Sequence, residues 1–171
     1  IITSISDSAS NNVTNTSTTF IVNTLKGLKA GPSTLPFGSI DPGATNQTAT
    51  DSILLNNTGN QDISDGNIDI NATDLVGETD SGKGLRSGNF TVSNLTGIMA
   101  CNYSSSASQM NTSSGNFADI IGTTLPAGNY SVNDGSTGQE QIYFCIKTIG
   151  SELTTQAYST SANGAWTLKI V

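Results

Sequence analysis

Turn chemistry sets the grain of this sequence. Asp41-Pro42-Gly43 precedes the apolar run Ser52–Leu55, and Asn56-Asn57-Thr58-Gly59-Asn60 closes that run at once. Pro fixes φ, Gly accepts positive φ and Asn bonds its own backbone, so each cluster makes a turn for a mechanical reason. The same grammar recurs at Asp65-Gly66, at Leu125-Pro126-Ala127-Gly128 and at Asn133-Asp134-Gly135. It leaves about ten short strands at the ~8–12 residue spacing of all-β sandwiches and barrels, and no segment reads as a convincing helix. The sequence therefore predicts an all-β chain folded as a single β-sandwich.

Alternation within the runs says which faces are covered. In Gln141–Ile149, Ile142, Phe144 and Ile146 oppose Tyr143, Cys145 and Ile149, so this strand is apolar on both faces and belongs in the middle of the sandwich. Ala165–Val171 alternates Trp166, Leu168 and Ile170 against Thr167, Lys169 and Val171. Phe90–Tyr103 reads as one or two strands, with Met99, Cys101 and Tyr103 on one side. Phe117–Ile121, Asn129–Val132 and Leu153–Thr160 are further strands, and Asp74–Ser87 is a long surface loop. Thr18–Leu28 reads as a strand followed by a helical turn, ended by glycine.

Composition excludes several functions. With 13 acidic residues against 6 basic ones and a net charge of −7, the chain lacks the basic patch that a nucleic-acid backbone requires. No apolar run approaches the ~20 residues of a membrane-spanning helix, and the first residues lack the basic flank of a signal peptide, so the chain reads as a secreted protein after processing. His is absent, which removes the usual base of nucleophilic triads and the usual ligand of catalytic zinc. Glu78, Glu140 and Glu152 sit among polar residues with nothing to tune them as acids, and the reading is that the chain is not an enzyme. Gly77–Lys83 matches the start of a phosphate-binding loop, but Gly84 stands where the metal-binding hydroxyl belongs and no helix follows. No cofactor is expected. Calcium is conceivable at Asp62–Asp69, although an Asp65-Gly66 hairpin turn explains the same residues.

Two observations point outside the cell. Cys101 and Cys145 each fall in a run read as a strand, which suits a disulfide between neighbouring strands in an oxidising compartment. Asn-x-Ser/Thr occurs at Asn12, Asn15, Asn46, Asn56, Asn71, Asn89, Asn94, Asn102, Asn111 and Asn129. With 18 Asn and a Ser/Thr frequency of 47 in 171, about five would arise by chance, so the N-glycosylation motif is in twofold excess. Parity places Asn71, Asn89 and Asn129 on faces opposite the apolar residues of their strands. Asn94 shares the parity of Phe90 and Val92 and fits only if a turn intervenes at Ser93.

The chain divides into an N-terminal part, residues 1–19, and a sandwich domain, residues 20–171. Ile1–Ser6 is β-prone, with Ile1, Thr3 and Ile5 on one face, and Asp7–Thr19 is almost entirely Ser, Thr and Asn. A strand on a polar leash can close its own sheet as an edge, or leave and complete the sheet of another copy. The residues alone leave both open.

Pro36-Phe37-Gly38-Ser39-Ile40-Asp41-Pro42-Gly43, followed by Ile53-Leu54-Leu55-Asn56-Asn57-Thr58-Gly59-Asn60, resembles the start of the domain in the TasA/camelysin superfamily. Within it, the Ser/Thr/Asn-rich composition and the Trp-containing last strand are more similar to subunits of archaeal bundling pili and threads. The resemblance implies a jelly-roll-like sandwich completed by a donor strand from a neighbouring subunit. On that pattern Ile1, Ile2, Thr3 and Ile5 are the donor, the partners are identical subunits, and the product is an extracellular filament serving adhesion, cell–cell bundling or biofilm. Other filaments and cell surfaces are further partners. The metalloprotease activity ascribed to camelysin does not carry over, since this chain has no histidine. The alternative is a monomeric secreted, surface-layer or virion domain that keeps Ile1–Ser6 in its own sheet.

Overall fold

A computed structural model describes residues 21–103, 105–110, 116–128 and 136–171, with the backbone of two short strands at 4–6 and 12–14. These two, β1 (Ser4–Ser6) and β2 (Asn12–Thr14), pair antiparallel as a sheet of their own, Ile5 opposite Val13. The body begins with β3 (Leu28–Gly31), β4 (Thr45–Thr48) and β5 (Ile53–Asn57), then β6 (Ile68–Asn71), β7 (Leu75–Gly77) and β8 (Gly84–Leu85). After these come β9 (Phe90–Ser93), β10 (Ser108–Gln109) and β11 (Ala118–Asp119). The last three are β12 (Gln139–Thr148), β13 (Tyr158–Ser159) and β14 (Thr167–Ile170). One layer runs β10-β9-β12-β5-β3, and β4 also pairs with β12. The other layer is built from β11-β6-β14 and β13-β7-β8, and every pairing is antiparallel. The expected all-β sandwich is present.

Both layers contain long strands interrupted by insertions. Thr48 faces Cys145 and Ile53 faces Ile142, so five steps along β4–β5 match three along β12, and the two extra residues bulge out within Ala49–Ser52. In the second layer Val76 faces Ser159 and Asn71 faces Thr167; three extra residues leave the line of β13–β14 before Thr167. The interruptions bend the strands and let the layers close around one core. Ile68 and Ile70 from one layer meet Leu55, Phe90, Val92, Ile142 and Phe144 from the other. Four rings join there: Phe90 meets Phe37 at 5.6 Å and Trp166 at 5.0 Å, both edge-on, and Phe144 lies 5.9 Å from Trp166. The Trp166 indole N–H donates to the Thr73 carbonyl at 2.9 Å, so its polar atom is satisfied while the ring is enclosed.

β12 is covered on both faces, as its sequence requires. Ile142, Phe144 and Ile146 enter the core, while Tyr143 and Cys145 meet a second small cluster containing Ala100 and Cys101. That cover corrects the reading of 90–103 as strand throughout. β9 stops at Ser93, and Gly97–Cys101 forms a 3-10 turn laid on the back of the sheet. Thr91 and Ser93, whose side chains face that way, are buried because their hydroxyls donate to the carbonyls of Ala100 and Ser106.

Four other expectations change. Residues 21–27 carry no strand, and β3 begins only at Leu28. This lead segment is held by Asn60, which takes the Leu25 N–H and donates to the Asn23 carbonyl. The stretch Asp74–Ser87 contains the β7–β8 hairpin, with the phosphate-loop look-alike at its tip. Asp65-Gly66 is a turn, Gly66 having φ +81°, but the residues on its two sides pair elsewhere: Ile63 bridges to Leu125, and β6 lies between β11 and β14. Asn57, read as turn, ends β5 with its side chain buried. Its amide donates to the carbonyls of Gln61, Leu125 and Pro126.

The Asp41-Pro42-Gly43 turn behaves as its residues demand: Ala44 N–H returns to the Asp41 carbonyl at 3.1 Å and Gly43 takes φ +83°. Two residues on, the β4 ladder skips Asn46, which at φ 53° is the single non-glycine in the left-handed region among the described residues. A β-branched side chain tolerates that conformation poorly. Asn46→Val is expected to lower the unfolding free energy by about 1–2 kcal/mol, with Asn46→Gly close to wild type, in urea denaturation of the unglycosylated chain. Equal stability of the valine variant would show that the position relaxes.

Candidate functional site

Between the layers, on the side where β4 has no second strand partner among the described residues, the core opens into a cleft of about 1030 Å³. Its floor is apolar and includes Ile53, Ile70, Leu75, Phe144, Trp166 and Leu168. One rim is the segment 32–42, the other Leu153–Thr160. The first rim contains Pro32, Pro36 and Pro42 and forms no strand, because proline removes ladder donors. It nevertheless packs Leu35, Phe37 and Ile40 against the core. The Pro36 carbonyl ties it to β4's flank, accepting from Thr50 N–H at 2.9 Å and from the Thr50 hydroxyl at 3.0 Å.

The second rim is braced by side chains. Tyr158 hydroxyl donates to the Thr154 carbonyl at 2.9 Å, and Gln156 Oε1 accepts from the N–H groups of Thr79 and Asp80. Of this rim only Tyr158–Ser159 is strand, although the sequence predicted one through Leu153–Thr160. The result is an apolar slot flanked by incompletely paired backbone. An extended apolar segment has the matching chemistry: main-chain groups for the rims and alternate side chains for the floor.

The sequence-predicted donor residues Ile1, Ile2 and Thr3 lie outside the described residues, as do Asn15, Asn111 and Asn129. Ile5 sits in β1 and Asn12 in β2, each within the N-terminal hairpin. Cys101 and Cys145 are joined in a disulfide with Cα atoms 5.2 Å apart; it fastens the 3-10 turn to β12, where two strands had been expected to be linked. Asn46 and Asn102 are exposed, while Asn56, Asn71 and Asn89 are half-buried. Asn56 lies on the outer side of β5, opposite to Leu55 and Asn57, and Asn71 on the outer side of β6. Asn94 has left the strand at Ser93, yet its amide nitrogen donates to the Gly122 carbonyl and to Glu140 Oε1, at 2.9 and 3.1 Å. A glycan would remove one of its two hydrogens, so both bonds cannot survive modification. Among the described residues no sequon asparagine lines the cleft.

Three of the acidic residues weighed for calcium and for catalysis tie loops. Asp62 and Asp65 accept the N–H groups of Ala127 and Gly122, and Glu140 accepts that of Thr124. Among the described residues no three His, Cys, Asp or Glu side chains form a group able to hold a metal ion, and no helix there is long and apolar enough to cross a membrane. Sequence reasoning missed the cleft rims. The available signal was Leu35, Phe37 and Ile40: apolar residues in a stretch too rich in Pro and Gly to be strand, which must be buried in some other way.

Comparison with protein-family models, with curated proteins and with solved structures finds no match for this chain.

Proposed function

We propose that this chain is the structural subunit of an extracellular filament that polymerises by donor-strand complementation, Ile1–Ser6 of one copy entering the cleft of the next. The observation that carries the reading is the open apolar cleft between the two layers. Two others support it. The rims offer unladdered backbone, and the sequons Asn56 and Asn71 stand on the two outer faces and away from the cleft. Burying Ile1 and Ile5 in the slot contributes about 3–6 kcal/mol by transfer bookkeeping, before the ordering cost of the leash. Filling it also covers an edge that otherwise invites aggregation. A glycan-bearing, weakly charged exterior suits fibre bundling, adhesion and biofilm on a cell surface, in the manner of the archaeal filaments that the sequence resembles.

The β1–β2 hairpin favours one rival, a monomeric secreted or surface-layer domain that retains its own N-terminal segment. Electron microscopy of the full chain beside a variant lacking Ile1–Ser6 separates the two. The filament reading expects fibres from the full chain and folded monomers from the truncation, which a synthetic Ile1–Ser6 peptide then binds. Monodisperse particles from the full chain, or a truncation that unfolds, would establish the rival.

A further inference from the structure

Three side chains stand in one row across the second layer. Lys169 on β14 faces Asp69 on β6, and Asp69 faces Asp119 on β11. Lys169 Nζ is 3.5 Å from Asp69 Oδ2 and 4.1 Å from the centre of the Phe117 ring, so the amine is held between a carboxylate and an aromatic face. The Asp69 side chain is only 16% exposed. On its other side, Asp119 Oδ1 is buried without a hydrogen-bond partner. Burial, then the neighbouring charges of Asp65 and Asp69, raise the Asp119 pKa above its usual 3.8 against the opposing pull of the Ile120 backbone N–H. Asp119 therefore holds a proton at a pH where an ordinary aspartate has lost it.

A plain ion pair explains the first contact and leaves the rest unexplained. An exposed pair contributes about 0–1 kcal/mol, whereas an orphaned buried oxygen costs roughly 1–3 kcal/mol, so nothing in a stabilising pair calls for Asp119 beside it. Amine, carboxyl and protonated acid in a fixed row are the components of amide formation.

We propose that this row is a self-modification site that joins Lys169 Nζ to Asp69 Cγ in an isopeptide bond. The Lys169 ammonium passes a proton across its 3.5 Å contact to the Asp69 carboxylate, which frees the amine and leaves Asp69 as the acid. The amine attacks Cγ, the N–C bond forms, and the C–OH bond breaks as Asp119 passes its proton to the departing hydroxyl. The surplus proton on nitrogen passes through the released water to Asp119. The sum is ammonium plus carboxylate giving amide plus one water, with nothing oxidised or reduced and the acid restored. Adjacent strands supply the positioning, which in well-oriented intramolecular reactions reaches effective concentrations of about 10⁵–10⁸ M. The modification requires folding and no second copy, so it stands apart from filament assembly.

The test is the intact mass of the chain made in a host without N-glycosylation, folded first and reduced only for the mass reading, followed by proteolysis. The wild-type chain is expected to be lighter than its sequence by one water and to yield a fragment containing Asp69 joined to one containing Lys169. Lys169→Arg, which keeps the charge, and Asp69→Ala, which removes the carboxyl, keep the unjoined pattern. Asp119→Ala slows joining by about 10²-fold or more, and Asp119→Glu restores it. Cooperative unfolding and an intact Cys101–Cys145 bond certify that each variant is folded. Full sequence mass in the folded wild-type chain overturns the proposal. So does water loss without the joined fragment, as a succinimide at Asp65-Gly66 would give, or joining at an unchanged rate in Asp119→Ala.

Discussion

Phe90→Ala is expected to remove about 3–5 kcal/mol of folding free energy, a large part of the roughly 5–15 kcal/mol that a domain possesses. Phe90 is fully buried, and its ring touches Phe37 from the cleft rim and Trp166 from the approach to β14. One side chain thus joins three stretches far apart in sequence. Its loss leaves a cavity that neighbouring rings cannot fill without leaving their own contacts. Phe90→Leu keeps most of the volume and should cost less than half as much. Urea denaturation of unglycosylated protein measures both; a small penalty for alanine would mean that the rim collapses inward and that the cleft is soft.

The second large effect is expected from removing the disulfide. It closes a 44-residue separation, for which chain-entropy reasoning gives about 4 kcal/mol and typical measurements about 2–4 kcal/mol. The double variant Cys101→Ala/Cys145→Ala should lose that much unfolding free energy and melt earlier. Its damage should be local. Cys101 and Cys145 belong to the small cluster behind the sheet, separate from the main core. Amide exchange is therefore expected to rise first at Gly97–Cys101 and at Thr91, ahead of Val92 and Phe144. Uniform acceleration across β9 and β12 would show instead that the back cluster and the core unfold as one unit.

The sequence was most legible where alternation and burial agree. Ile68, Ile70 and Ala72 are buried with Asn71 turned outward, and Trp166, Leu168 and Ile170 lean inward against exposed Thr167 and Lys169, because period-2 patterning reports a sheet with one wet face. It was least legible where partners decide. β4 is Thr-Asn-Gln-Thr, which has no apolar signal and becomes a strand because β12 presents an edge to it. Gly97–Cys101 looked like strand because its apolar residues fit either geometry, and the glycine at its start takes φ +65°. Asn57 resembled the turn asparagines around it, and only the arrival of Leu125 and Pro126 makes it an interior staple. The disulfide was readable as a pair, while its role in clamping a turn needed the fold. The cleft was not legible in the residues themselves, since its rims draw on segments more than a hundred residues apart.

The length of β12 carries a consequence for timing. This one strand pairs with β4, β5 and β9, yet it starts at Gln139 while β5 ends at Asn57. At about 5–20 residues per second, synthesis leaves β5 waiting roughly 4–16 s for its central partner. During that interval the β3–β5 pairing can form, but the other edge of β5 has no partner strand. The newborn chain is thus a queue of unfinished edges, and the hydroxyl-rich and amide-rich stretches between them keep it dispersed until the keystone strand arrives.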